Sequence, residues 1–139
     1  MLMRYLLDTN ICIYLIKQHY PSVQQCFEKH PIEKIFLSSI TVYELFYGAE
    51  KSQYREKNKR NLKLFCEQFT IINFDEEAAY ITANIRSQLE KKGQVIGSYD
   101  LQIAGIALAH QLTLVSNNLK EFERIPELLL ENWLVLPSP

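Results

Sequence analysis

Tyr5-Leu6-Leu7-Asp8-Thr9-Asn10 is an apolar run that stops abruptly in three polar residues. A strand over Arg4–Leu7 has the unbroken hydrophobicity of one buried on both faces, as in a parallel sheet. The same pattern recurs at Ile35–Ser38, Ile71–Phe74, Leu112–Ser116 and Leu134–Leu136. Between these runs lie segments with helical spacing: Ile11–Gln18, Pro21–His30, Thr41–Glu50, Tyr54–Phe69, a long one from the Asp75 cap to Lys92, and Asp100–His110. Proline suits the first turn of the second helix. Ser38 and Ser39 offer a cap to the third, and Glu76 and Glu77 favour the dipole of the fifth. Apolar stripes fall at Leu62, Phe65, Cys66 and Phe69, and at Ala78, Ile81, Ile85 and Leu89. Strands alternating with helices imply right-handed βαβ units and a parallel sheet covered on both faces. Ligand sites in such sheets lie beyond the carboxyl ends of the strands.

Composition bounds the rest. A chain of 139 residues fits one domain and buries about two-thirds of the surface its unfolded form exposes. No apolar run approaches the ~20 residues of a membrane helix, and Asp8 comes too early for a signal peptide. Cys12, Cys26 and Cys66 are odd in number and lack metal-type spacing, which fits small buried thiols in a reducing, cytoplasmic setting. With four glycines and no repeat or low-complexity stretch, there is no sign of a linker. A net charge of −1 excludes strong whole-molecule attraction to a polyanion. Lys51 to Lys63 is nevertheless basic, with Lys51, Arg55, Lys57, Lys59, Arg60 and Lys63 against the single acid Glu56. Either a solvated helix face or a phosphate-contacting edge accounts for it.

Three carboxylates stand where a carboxylate is locally out of place. Asp8 ends a buried-type strand; it is either the N-cap of the next helix or a metal ligand, and capping alone leaves Thr9 and Asn10 at the same corner unexplained. Glu44 aligns with Ile40 and Tyr47, which places it on the packed stripe of its helix, with no base nearby before Lys51. Asp100 shares a face with Ile103, Ala104 and Ala107; it is either another N-cap or a ligand, and Gly97 before it suggests a close backbone approach. The strand ending at Ser116 runs into Asn117, Asn118 and Glu121, more oxygen donors for the same edge. Isolated buried acids are costly unless something positive meets them, and a shared divalent cation is the economical answer. Oxygen donors without nitrogen or sulfur suit Mg²⁺ or Mn²⁺. His19, His30 and His110 show no ligand spacing, and there is no phosphate-binding glycine loop, nucleophile elbow or dinucleotide fingerprint. Metal-assisted phosphodiester hydrolysis is the expected chemistry.

The order Leu7-Asp8-Thr9-Asn10, then Ser39 to Leu45 with Gly48-Ala49, then Ile96 to Ala104, then Leu114 to Asn118 with Glu121-Phe122, resembles the PIN-domain ribonucleases, in particular the VapC toxins of toxin–antitoxin pairs. It covers almost the whole chain, Glu131-Asn132-Trp133 included. The resemblance implies a single PIN domain over residues 1–139: an α/β, three-layer αβα fold with a central, mostly parallel sheet. It also implies a Mg²⁺ or Mn²⁺ pocket and endonucleolytic cleavage of RNA, often tRNA, in the anticodon region of initiator tRNA among close relatives. A homodimer held inactive by a VapB-type antitoxin is implied too.

Asp8, Glu44 and Asp100 match the signature acids, with Asp8 and Asp100 as direct metal ligands. The fourth acid of many PIN domains falls at Asn118, which keeps an oxygen but loses the charge. Glu121, one turn on, is the candidate to restore it, and Ser116 stands where the family usually has threonine. Thr9, Asn10 and Ser116 are the expected orienting residues. Two rivals are a housekeeping PIN nuclease without an antitoxin and a receiver-like, non-catalytic module. A receiver places paired acids after its first strand and a lysine after its fifth, unlike Asp8-Thr9-Asn10 and Ser116-Asn117-Asn118.

Overall fold

The computed structural model describes residues 3–135. Among them, five parallel strands form one sheet: β1 (Tyr5–Leu7), β2 (Ile35–Ser38), β3 (Thr70–Ile72), β4 (Thr113–Val115) and β5 (Leu130–Glu131), in the order β3-β2-β1-β4-β5. The helices are α1 (Thr9–Lys17), α2 (Pro21–Glu28), α3 (Ser39–Glu50), α4 (Arg55–Glu67), α5 (Glu76–Lys91), α6 (Ser98–Ala109) and the short α7 (Leu119–Phe122).

Alternation along the strands sorts the core into two layers. Tyr5, Leu7, Ile35, Leu37 and Val115 pack with Ile11, Leu15, Val23, Leu45 and Leu62 of α1–α4. Leu6 and Leu114 point the other way and pack with Ala78, Ile85 and Leu89 of α5 and with α6. Each wholly buried aliphatic side chain contributes about 1.5–3 kcal/mol relative to exposure. The three-layer αβα arrangement follows directly, because a sheet apolar on both faces needs a helical layer on each.

The chain leaves β1 toward β2 and β3, then returns to β4 on β1's other side. The crossovers therefore diverge at β1 and β4, the switch point where such folds open a crevice beyond the strand ends. Register locks it: Leu7 lies opposite Val115, and the Asp8 N–H donates to Val115 O at 3.0 Å.

Two expectations need correction. The last strand is Leu130–Glu131, not Leu134–Leu136; Leu134 and Val135 run on without strand pairing, and Leu136 lies outside the described residues. Leu134 and Val135 continue from Trp133, whose ring is buried and stacked on His30, and the Val135 N–H donates to Ser22 Oγ at 2.9 Å. That tie holds the tail against α2 and away from the sheet. The helix expected over Asp100–His110 starts earlier, at Ser98 with Gly97 as its cap, so Asp100 sits in the first turn and its alternative reading as a cap falls.

Gly105 of α6 faces α5 so closely that a Cβ there would lie 1.8 Å from Thr82 Oγ1 and 3.2 Å from Ala78 O. Close approach of these two helices holds Asp100 at the crevice. Gly105→Ala gains about 1 kcal/mol of helix propensity but incurs overpacking of roughly 1–3 kcal/mol. Net destabilisation in urea unfolding is expected, largely reversed by adding Thr82→Ala, whose buried hydroxyl has no hydrogen-bond partner. A stabilised Gly105→Ala protein would show that the helices can separate at little cost.

Candidate active site

The carboxylates gather at the crevice between the ends of β1 and β4. Asp8 is 4% exposed and caps α1, its Oδ1 accepting the Ile11 N–H at 2.9 Å. Capping therefore does not exclude a place in the candidate site, since the same side chain also feels the Glu44 charge. Burial pushes its pKa from 3.8 up to about 6; the Glu44 charge adds to that, while hydrogen bonding to Ser116 and to the Ile11 and Asn10 amides opposes it.

Asp100 enters from α6, half-buried. Its pKa also rises from 3.8 to about 6, first through burial and then through the charges of Glu121, Asp8 and Glu44, with a hydrogen bond to Asn118 opposing. Mutual repulsion among Asp8, Glu44, Asp100 and Glu121 places all four in one electrostatic neighbourhood.

Glu44 departs from the stripe expected of it. Thr41, Leu45 and Ala49 form the buried line of α3, whereas Tyr47 is 57% exposed. Glu44 therefore lies at the helix edge, partly buried, and turns into the crevice rather than into the core. Thr9 holds it there: its Oγ1 donates to Glu44 Oε1 at 2.6 Å and stands 3.1 Å from Thr41 Oγ1. Thr41 is the residue that sequence reasoning missed. Its only signal is a position one turn before Glu44, on the helical side facing α1.

Glu121 is tied down twice, by the Gly97 N–H at 2.8 Å and by Asn118 Nδ2 at 2.8 Å. Asn118 thus stands beside Glu121 and donates to it, and its hydrogen bonding also favours the charged form of Asp100. Ser116 is wholly buried, and its Oγ accepts the Asn118 N–H at 2.9 Å. Gly97 offers a main-chain donor rather than clearance, since a Cβ there would meet only Glu121 Oε1 at an ordinary 3.7 Å. Asn10 is exposed and contributes its main-chain N–H to Asp8, and Asn117 turns away to Tyr14 Oη at 3.2 Å.

Among the described residues, no three His, Cys, Asp or Glu side chains converge as a ready-made cation cage. The donor set nevertheless fits a hydrated divalent cation. Its oxygens are hard, and two carboxylates carry charge that no positive group among the described residues relieves. Magnesium commonly retains several waters and uses one or two carboxylates, so direct and water-spaced donors together suffice. The histidines lie elsewhere: His30 packs between Tyr5 and Trp133, and His110 Nε2 stands 3.7 Å from Asp75.

Comparison with known proteins agrees with this geometry. The sequence matches the PIN domain family over residues 5–128. It is 45% identical to ribonuclease VapC2 of Rickettsia felis, covering 94% of this chain and 98% of that protein. It is 40% identical to the tRNA(fMet)-specific endonuclease VapC of Salmonella typhimurium, covering 95% and 99%. The fold superposes with a TM-score of 0.89 on a chain of the DNA-bound VapBC crystal structure from Salmonella typhimurium, at 40% identity and covering 95% and 99%. A receiver-like module is thereby set aside. Carrying the acidic crevice at the end of its parallel sheet, the chain belongs to the PIN-domain family and, within it, to the VapC ribonucleases.

Proposed function

We propose that this chain is the toxin of a VapBC-type pair, an endoribonuclease that hydrolyses tRNA in the anticodon region of initiator tRNA. The observation carrying the chemistry is the convergence of Asp8, Glu44, Asp100 and Glu121 on one crevice, with Asp8 and Asp100 both pushed up to about 6. The tRNA assignment rests on similarity to the Salmonella enzyme. Residues 1–139 are proposed to form one PIN domain acting in the cytoplasm; among the described residues no helix is long and apolar enough to cross a membrane.

Asp8 and Asp100 would hold Mg²⁺ or Mn²⁺ directly and Glu44 through water. When bound, that cation acidifies water and neutralises charge on the phosphate. Glu44, oriented by Thr9, positions the attacking water. Asn118 and Glu121 complete the acidic wall, with Ser116 ordering the Asn118 main chain. Water forms the new bond to phosphorus and the 3′ oxygen leaves, so the fragments carry a 3′-hydroxyl and a 5′-phosphate.

A VapB-type antitoxin is the proposed partner of a homodimer. The surface proposed for it is a cavity of about 460 Å³ beside Glu44, lined also by Ile13, Ile16, Leu45, Leu62 and Asn61.

The direct assay incubates purified, antitoxin-free protein with total bacterial tRNA and Mg²⁺ or Mn²⁺. Discrete fragments are expected, absent with EDTA and reduced at least 100-fold by Asp8→Asn or Asp100→Asn. Asn118→Ala should cost less, about tenfold. Undiminished cleavage by both aspartate variants would remove the mechanism.

Stability supplies a second check. Because the folded pKa values of Asp8 and Asp100 lie above 3.8, these groups contribute most below pH about 4, and that contribution is lost as pH rises through about 6. In metal-free protein at pH 7, Asp8→Asn should raise stability by roughly 1–3 kcal/mol, since Asn also caps and carries no charge. That gain should fade by pH 4, and Mg²⁺ at pH 7 should raise the Tm of the parent protein but not of the variant. Loss of stability in Asp8→Asn at pH 7 would make the carboxylate a structural cap first.

A further inference from the structure

Alongside the acids runs a ridge of three exposed tyrosines. Tyr43 and Tyr47 stand one turn apart on α3, and Tyr99 opens α6; they are 51%, 57% and 43% exposed. Tyr43 and Tyr47 lie 6.5 Å apart between ring centroids and near-parallel at 24°. Tyr43 meets Tyr99 edge-on at 5.4 Å, and their hydroxyls are 3.1 Å apart. Lys51 Nζ sits 4.6 Å over the Tyr47 ring. In sequence Tyr43 adjoins Glu44 and Tyr99 adjoins Asp100, so the ridge borders the acidic crevice on the two helices that supply those acids.

None of the three rings belongs to either core layer, yet they hold one another in a fixed array. A crevice carrying four acids repels a polyanion, so substrate must be gripped at the rim by something other than positive charge alone. Neutral aromatic faces do this for unpaired bases, because every base has a π-face to stack. An ammonium at the end of the array supplies the matching phosphate contact. Of the other cations in the basic run, Lys59 pairs with Glu50 at 2.6 Å and Arg55 with Glu56 at 3.4 Å.

We propose that Tyr43, Tyr47 and Tyr99 form a base-stacking subsite that seats an unpaired nucleotide next to the scissile phosphate, with Lys51 contacting the backbone of that nucleotide. This rests on the ribonuclease function above and deepens it: the enzyme selects a looped or single-stranded segment, and a duplex, whose bases are already stacked, is a poor substrate.

The experiment uses full-length protein and three probes of equal length: a labelled single-stranded oligoribonucleotide, its abasic counterpart and a duplex. Binding is measured in EDTA, and kcat and KM for the single strand are measured with Mg²⁺. Tyr43→Ala and Tyr47→Ala should each weaken binding of the base-bearing strand about tenfold, the low to middle range for one stacked base. They should raise KM with little change in kcat and leave abasic binding unaltered. Tyr43→Phe, which loses the hydroxyl contact but keeps the ring, should bind as the parent does. Tyr47→Trp should bind at least as well, with indole fluorescence quenched by the base-bearing strand and not by the abasic one. Lys51→Ala should weaken both strands and lower the salt dependence of binding.

Equal losses for base-bearing and abasic strands would overturn the subsite. So would alanine variants that leave KM unchanged while the parent cleaves, a result that spares the ribonuclease function. Sedimentation showing that Tyr43→Ala or Tyr47→Ala splits a dimer, with RNA binding intact, would reassign the ridge to contact between copies. A parent protein that neither binds nor cleaves any RNA would remove the function and the subsite together.

Discussion

Parallel pairing of β1 with β4 is the constraint on which the site depends. Leu7 opposite Val115 brings the first residue past each strand, Asp8 and Ser116, to the same edge of the sheet, and the Asp8 N–H is spent on the neighbouring strand. Both side chains are then almost without solvent. An acid placed there by main-chain pairing cannot swing out to water, and its protonation rises as a result. The core is the cause of the site's charge problem, and the problem is what a cation would solve.

The other acids arrive on helices whose positions are set by packing. The small face of Gly105 lets α6 approach α5, which brings Asp100 to the crevice. The buried line Thr41, Leu45 and Ala49 sets the roll of α3, leaving Glu44 at its edge within reach of Thr9. Glu121 is drawn in by a main-chain donor at Gly97 and by the Asn118 amide. Main-chain donors hold Asp8 and Glu121, whereas a side-chain hydroxyl holds Glu44. Past the end of β4 this chain has an amide at Asn118 and an acid three residues on. The pair puts negative charge and oxygen donors at that corner.

The tyrosine ridge complements this arrangement. A strongly acidic crevice gains nothing from its own charge in attracting RNA, and the net charge of the chain is −1. Affinity that relies on stacking is insensitive to that repulsion, and it prefers bases that are free to leave their own stack. Chemistry and substrate choice would then occupy adjacent strips of the same two helices.

By itself, the sequence determined the element types and the parallel sheet, and it singled out three candidate acids. Buried parallel strands are continuous apolar runs, and Asp8, Glu44 and Asp100 interrupt local patterns. It misplaced the last strand, because the apolar character of Leu134 and Val135 does not distinguish β-pairing from a tail tied to α2 beside the Trp133–His30 stack. It put Glu44 on the packed stripe, because 3.6-residue spacing gives a side chain's bearing around its helix but not how the helix is rolled against its neighbours. Thr41 behind Thr9, the contact of Asn118 with Glu121, and the meeting of Tyr43 with Tyr99 were decided only by tertiary structure. Each joins residues from different elements, brought to hydrogen-bond or ring-contact distance by the packing of helices on the sheet, and no local periodicity encodes a distance of that kind.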